Sequence, residues 1–276
     1  MPEGFQLARR QAEAYESSSR MFMDGSARLL AEGAMIRAGD VVLDLACGTG
    51  LVARHAALLV APNGRVVGAD INAAMLEVAR VSVGGDVEWV ESPCDRLPFD
   101  DDTFSHVICQ QGFQFFPDPV AAMSEVRRVL RPGGVLIATV WATPGHNPYI
   151  ENQLELLAGL DPSLLGSVQR ATPSNADDLL RSAARSAGFE HVDVTLLEHT
   201  VEITDFEVFF LAQTSATPWG PTLEILTDRG RTALASAMAA RVGQYATGDG
   251  RHSIPFRSYR LEARRNDGPM CRVVVE

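Results

Sequence analysis

Two aspartates and two glycines carry the most chemical information in this chain. Asp44 ends the apolar run Val41-Val42-Leu43, Gly48 and Gly50 follow it, and an alanine-rich stretch begins near Leu51. Asp70 closes a second run, Arg65-Val66-Val67-Gly68-Ala69, about 20 residues beyond the glycines. The first run suits a strand covered on both faces, and the glycines let the backbone approach a ligand closely before a helix. An acidic residue at the end of the second strand is where the ribose hydroxyls of a bound nucleoside would be held. The pattern predicts a site for an adenosine-containing cofactor.

Gly48-Thr49-Gly50-Leu51-Val52-Ala53 also satisfies the G-x-G-x-x-G/A spacing of dinucleotide-binding folds. Asp44 weighs against that reading. A carboxylate beside the loop would repel a diphosphate, which wants unopposed N–H groups at the helix start. It would instead welcome an ammonium group, directly or through water. S-adenosylmethionine (SAM) carries an ammonium and a sulfonium and has no phosphate.

Asp44-Leu45-Ala46-Cys47-Gly48-Thr49-Gly50 resembles the first motif of the class I SAM-dependent methyltransferases. The resemblance continues in Gly68-Ala69-Asp70-Ile71-Asn72-Ala73-Ala74-Met75, in Leu97-Pro98-Phe99 with Asp102-Thr103-Phe104, and in Arg128 to Leu136. These four segments, in that family's order, span residues 35–142 and resemble its UbiE-like small-molecule branch. The resemblance implies an α/β fold: a Rossmann-like, doubly wound, mostly parallel seven-stranded sheet with an antiparallel C-terminal hairpin and a helical lid. It also implies methyl transfer from SAM, leaving S-adenosylhomocysteine (SAH).

Carried over by position, the resemblance gives Asp44 the amino group of SAM. Ala46, Cys47, Gly48 and Gly50 become the loop around its carboxylate and sulfonium, Asp70 the holder of the ribose, and Ile71 and Met75 packing for the adenine. The structural alternatives are a helix-start partner for Asp44 and a cap for the helix near Asn72 for Asp70. The third motif departs from the pattern. Pro93 stands where an adenine-binding aspartate is usual, and proline offers neither N–H nor carboxylate. Cys94 through its backbone and Asp95 from two residues later are the expected substitutes, and Gln110, at the end of the fourth strand, is expected over the sulfonium. Ser105, beside His106, replaces another aspartate usual in the family.

In-line displacement at a sulfonium needs little acid–base help, so positioning and water exclusion carry most of the work. A base matters only for a hydroxyl or a protonated amine as acceptor. His146, in Pro144-Gly145-His146-Asn147-Pro148, and Tyr15 near the amino terminus are the candidates. Gln111 is placed to orient an acceptor hydroxyl or to accept a contact from the activated methyl. His55 reads as a helix-face residue, and His106, His191, His199 and His252 have no motif context. No metal-ligand spacing is visible, so no metal is expected.

The elements that must position these residues alternate. The pattern predicts strands over 41–46, 65–69, 87–91, 104–110 and 134–141, with helices over 51–61, 73–82 and 118–131. Pro132-Gly133-Gly134 reads as a helix stop. Two helices precede the first strand, the second (24–36) capped by Asp24-Gly25-Ser26. Beyond Trp141 come helices over 150–160, 176–187, 204–213 and 229–245, a long strand over 191–201 and another over 254–264. That last strand is expected to pair with Cys271–Val275 across Asn266-Asp267-Gly268. One domain is expected: a helical lid (1–36), a cofactor core (37–142), acceptor and lid insertions (143–250) and C-terminal strands (251–276). Phe113, Phe115, Phe116, Trp141, Tyr149, Phe206, Phe209, Phe210 and Trp219 read mostly as core, with a few lining an apolar acceptor pocket.

The chain has 276 residues, 46% hydrophobic, with 24 basic against 35 acidic side chains and a formal charge of −11. That balance disfavours a nucleic-acid partner, and the acidic run Asp100-Asp101-Asp102 reads as a solvated loop. Four scattered cysteines suggest neither zinc nor disulfides and fit a reducing, cytoplasmic setting. No signal pattern or membrane span is visible. The expected partner is a small, largely apolar molecule, with the protein a monomer or homodimer. Two other functions compete: a methyltransferase-fold protein that keeps SAM or SAH for a non-methylating reaction such as a cyclisation, and an NAD-dependent reductase, which Asp44 disfavours.

Overall fold

The computed structural model describes residues 7–84, 86–161, 173–217 and 219–266. Two helices, α1 (Arg9–Phe22) and α2 (Asp24–Gly33), precede an alternating run: β1 (Val41–Leu45), α3 (Leu51–Val60), β2 (Arg65–Asp70), α4 (Ala73–Val83) and β3 (Val87–Glu91). Then come β4 (Phe104–Gln110), α5 (Pro119–Val129), β5 (Leu130–Trp141), α6 (Pro148–Leu160), α7 (Ala176–Ser186) and β6 (His191–Ile203). The helices α8 (Phe206–Ser215), α9 (Gly220–Glu224) and α10 (Asp228–Arg241) precede β7 (His252–Arg264). The strands form one seven-stranded sheet in the order β3-β2-β1-β4-β5-β7-β6. β1 to β5 are parallel, and β7 runs antiparallel to both β5 and β6.

Strand parity sorts the core onto two faces. Val42, Val66, Ile108 and Ile137 pack with α2 and α3, while Leu43, Val67, Val107 and Leu136 pack with α5 and α7. Each such side chain contributes about 1.5–3 kcal/mol on burial, so a one-residue slip, which reverses both faces, is strongly disfavoured. The order also puts a switch point between β1 and β4, whose carboxyl ends open a crevice.

β7 pairs with β5 only as far as Trp141↔Ser258, but with β6 along its whole length. Its first half, with the end of β6, therefore runs past β5 as a two-stranded extension. Ile254, Phe256, Val201 and Ile203 from that extension share a second core with α6, α8, α9 and α10. This is where the antiparallel hairpin departs from expectation: it joins β6 to β7 through three helices. Residues 271–275 lie outside the described residues.

Three further expectations are corrected. Pro132-Gly133-Gly134 lies inside β5 and does not stop a helix. α5 ends at Val129, with Leu130 already extended (ψ 132°) as the first residue of β5, and Gly133 (φ +78°) marks an irregularity where the register with β4 shifts. Asp24 does not cap α2; it is the first helical residue and meets His55 at 3.0 Å and Arg54 at 3.7 Å. The acidic run is not simply solvated: Asp101 pairs with Arg128 at 2.8 Å and Asp102 with Arg265 at 2.6 Å. Among the described residues no helix is long and apolar enough to cross a membrane.

Candidate active site

The loop after β1 turns by three left-handed residues, Ala46 (φ +55°), Gly48 (φ +54°) and Gly50 (φ +85°). For the alanine this conformation costs about 1–2 kcal/mol, a strain of the kind that gathers at ligand sites. Gly50 is required for packing as well as turning. A Cβ there would sit 2.5 Å from Trp89 Cη2, and one on Gly68 would sit 2.4 Å from Trp89 Cζ3. Trp89, on β3, thus wedges beneath the loop and fixes its height.

Asp70 ties the two motif loops together. Its Oδ2 accepts the Gly48 N–H at 2.8 Å and its Oδ1 accepts the Asn72 N–H at 2.8 Å. A carboxylate offers about four lone-pair sites, so these bonds leave room for a further donor. Asn72, not Asp70, caps α4, accepting from Ala74 and Met75. Asp44 lies deeper, 1% exposed, and its Oδ2 accepts the Ala53 N–H in the first turn of α3 at 2.8 Å. Burial pushes its carboxyl up to about 8, against the pull of that N–H and with added repulsion from Asp70. Burial also raises Asp70, opposed by the N–H groups of Asn72, Gly48 and Ile71.

These groups open on a cavity of about 460 Å³. On one side Ala46, Gly48, Asp70, Ile71, Met75, Cys94 and Asp95 form a shelf; on the other, Phe22, Trp141, Tyr149, Trp219 and Phe256 form an aromatic chamber. Tyr15, Gln110 and Gln111 line it as well. Asp44 and Cys47 line an adjoining recess of about 30 Å³ whose wall shares Ala46, Gly48, Tyr15 and Gln110 with the larger cavity. Gln111 is held in a left-handed conformation (φ +55°): its N–H donates to Thr139 O at 2.8 Å and its Nε2 to Ser258 Oγ at 2.9 Å. Gln110 Nε2 donates to Ser26 Oγ at 3.0 Å. Burial raises the Tyr15 phenol above its ordinary range and the Cys94 thiol to about 12, so neither is a ready base.

The structure does not bring His146 to this cavity. Its turn leaves the ring exposed, bonded to Thr143 Oγ1 at 2.8 Å, while its carbonyl accepts from Arg257 at 2.8 Å. Asn147 is the buried residue of that loop, bridging Ala142 and Arg257. Gly50 lines neither space; its part is to shape the loop. Of the aromatic candidates, Phe113, Phe206, Phe209 and Phe210 are core, while Phe115, Phe116, Trp141, Tyr149 and Trp219 reach the cavity. Phe22, Gln153, Gln213 and Phe256 were not anticipated. A glutamine at 153 inside the apolar stripe Ile150, Leu154, Leu157 was the available signal.

Pro93 lies on the cavity wall, and its loop is closed by other means. Ser92 Oγ donates to Pro93 O and Arg96 O, Glu125 accepts the Leu97 N–H, and Arg128 donates to Leu97 O and Phe99 O. Ser105 bonds both the N–H and the carbonyl of Val41, stitching β4 to the start of β1. His55 is paired with Asp24. Among the described residues no group of His, Cys, Asp or Glu could hold a metal ion.

A model of the methyltransferase domain matches residues 43–138. The ubiquinone/menaquinone biosynthesis C-methyltransferase UbiE of Hahella chejuensis is 38% identical over 138 residues, 48% of this chain and 55% of that protein. The chain thus spans about half the length of that relative. UbiE of Escherichia coli O1:K1 is 32% identical over 174 residues, 57% of this chain and 69% of that protein. In fold, phosphoethanolamine N-methyltransferase 2 of Haemonchus contortus, solved in complex with S-adenosyl-L-methionine, superposes with a TM-score of 0.61. It is 20% identical, over 94% of this chain and 57% of that one. With the sheet order, the glycine loop and the two strand-end aspartates in place, the chain belongs to the UbiE-like branch of the class I SAM-dependent methyltransferases.

Proposed function

We propose that this chain is a methyltransferase that uses SAM to methylate a small, largely apolar, uncharged acceptor. The observation that carries the reading is the continuity of one cavity from the Asp70 shelf to the aromatic chamber. Its size falls in the range typical of small-molecule sites.

The residues fit SAM better than a dinucleotide. Asp44 is a buried carboxyl with no cationic partner among the described residues, and an ammonium group is what would let it ionise there. Asp70 keeps lone pairs for the ribose hydroxyls, while Ile71 and Met75 offer an apolar surface to the adenine. Cys94 and Asp95 border that surface in place of the aspartate that Pro93 replaces. SAM supplies, when bound, a methyl group already activated on a sulfonium.

The chain's part is then to hold the acceptor in line and keep water out. Tyr15 lies over Gly48, its ring 3.9 Å from where a Cβ would sit, so α1 acts as the lid. A buried pair, Glu16–Arg54 at 3.0 Å, fastens that lid to α3. Gln111, strained and anchored to β7, orients the acceptor's reacting group. The charged side chains lining the cavity, among the described residues, are Asp70, Asp95 and Arg96, all on the shelf side. Among the described residues no group in the chamber is suited to remove a proton at neutral pH, and on this reading the acceptor presents its nucleophilic atom without help from a protein base.

The test is to incubate the protein with methyl-labelled SAM and a small-molecule extract, then follow label into organic-soluble material. Label transferred by the wild-type chain and lost in Asp70→Ala supports the reading. SAM binding without any label transfer would favour a non-methylating use of the same site.

A further inference from the structure

One wall of the aromatic chamber carries a polar cluster that the cofactor shelf does not use. Tyr149 and Gln153 lie one turn apart on α6, and Gln213 and Thr214 are adjacent on α8. Tyr149 Oη donates to Gln213 Oε1 at 3.2 Å. Gln153 Nε2 donates to the same oxygen at 2.5 Å and to Thr214 Oγ1 at 2.9 Å. Both lone pairs of Gln213 Oε1 and both hydrogens of Gln153 Nε2 are therefore engaged. Left over are the Gln213 amide nitrogen, a donor, and the Gln153 carbonyl oxygen, an acceptor. Among the described residues neither has a hydrogen-bond partner. Turning both amides over exchanges these roles and again leaves one donor and one acceptor unused, so the pattern is independent of their assignment.

Tyr149, Gln153 and Gln213 all line the cavity, among Trp141, Ile150 and Phe256. Gln153 is only 1% exposed. Both atoms reach the open cavity, and a ligand that displaces solvent there without pairing them would leave each unsatisfied at about 1–3 kcal/mol. A ligand that supplies both partners avoids that cost, and a ligand lacking either one does not. Among the described residues no charged side chain stands on this wall, so an ion would be desolvated there without compensation.

We infer that Gln153 and Gln213 form a neutral recognition site for the acceptor, reading a hydrogen-bond acceptor set beside a donor on a flat apolar body. A carboxamide, a lactam, or a hydroxyl next to a carbonyl has that edge. The inference rests on reading the chamber as the acceptor's half of the cavity. Gln153 and Gln213 are specificity residues here: they fix which molecule is seated and have no part in methyl transfer itself.

Quenching of tryptophan fluorescence tests it, since Trp141 and Trp219 line the chamber. Four probes of one shape are titrated with and without SAH: naphthalene, methyl 2-naphthoate (acceptor only), 2-naphthamide (acceptor and donor) and 2-naphthoate (an anion). The amide should bind about tenfold more tightly than the ester, and the anion more weakly than both. In Gln213→Leu and Gln153→Leu that preference should shrink to within about twofold, with naphthalene unchanged. Should the buried Gln153→Leu fail to fold, the part-exposed Gln213→Leu decides alone. Equal affinity for amide and ester, a preference surviving in Gln213→Leu, or no binding of any probe would overturn the inference. The SAH arm reports on the cofactor separately. An amide preference in a protein that does not bind SAH would keep this site and sink the methyltransferase reading.

Discussion

The two halves of the cavity are built by opposite means. The shelf is shaped chiefly by backbone: three left-handed residues, two strand ends and a carboxylate that holds both loops fall within residues 44–75, and Cys94 and Asp95 complete its border. The chamber is made of side chains drawn from α1, β5, α6, α8, the Trp219 turn and β7, residues far apart in the chain. Its framework is the β6–β7 extension beyond β5 and the helices packed on it. A backbone site tolerates little change and fixes one ligand. A side-chain site can be re-lined without disturbing the sheet, which is how one fold serves many acceptors.

The contrast is broken most severely at the shelf. Gly50→Ala puts a Cβ 2.5 Å from Trp89 in a residue at φ +85°, and should cost about 2–4 kcal/mol of stability in urea unfolding. A substitution as small in the chamber, such as Ile150→Val, should cost about 1 kcal/mol. Equal costs would dissolve the distinction between the halves.

Next in size is Asp70→Ala, which removes both the ribose contacts and the tie to Gly48. SAH affinity should fall about 10- to 100-fold in calorimetry, with the far-ultraviolet spectrum kept. Trp141→Ala should leave SAH affinity within about twofold, because its cavity face lies in the chamber, away from Asp70.

The third prediction concerns pH. Asp44 is pushed up to about 8 in the folded chain, above its ordinary value near 4. The folded state therefore binds a proton that the unfolded state releases, and this group's contribution to stability declines as pH rises from about 4 to 8. A bound ammonium reverses the preference by ionising Asp44. SAH affinity should then weaken by up to about tenfold per unit as pH falls from 8 to 6, and the melting-temperature gain from SAH should shrink with it. Asp44→Asn should flatten that dependence. A flat profile in the wild-type chain would detach Asp44 from the ligand.

The smallest effect is expected at His146. His146→Ala should leave methyl transfer and its pH profile within about twofold, since the ring is exposed and lies outside the cavity. A larger loss would bring that loop into the site.

The shelf was legible because its parts are local. A carboxylate at a strand end, two glycines and a second carboxylate after the next strand each have a backbone reason, and the structure puts Asp44 in the recess and Asp70 on the shelf. What the spacing could not show was Trp89 beneath Gly50 and Gly68, a contact made across β2 and β3. The chamber was legible only as an excess of aromatics. Phe209 and Phe256 look alike in sequence and both pack in the second core, yet Phe256, on β7, also reaches the cavity and Phe209, on α8, does not. His146 misled because a histidine after a strand end resembles a base, whereas Asn147 beside it takes the buried side of the turn. The hairpin was expected as a tight turn after β7, but its partner β6 lies before three helices. Pairing of distant strands has no local signature.

The most direct measurement is a calorimetric titration of the ligand-free protein with SAH at pH 8, with NADH as the control. The account predicts saturable one-site binding of SAH and no heat of binding from NADH. Binding of NADH in place of SAH, or folded protein that binds neither, would contradict it.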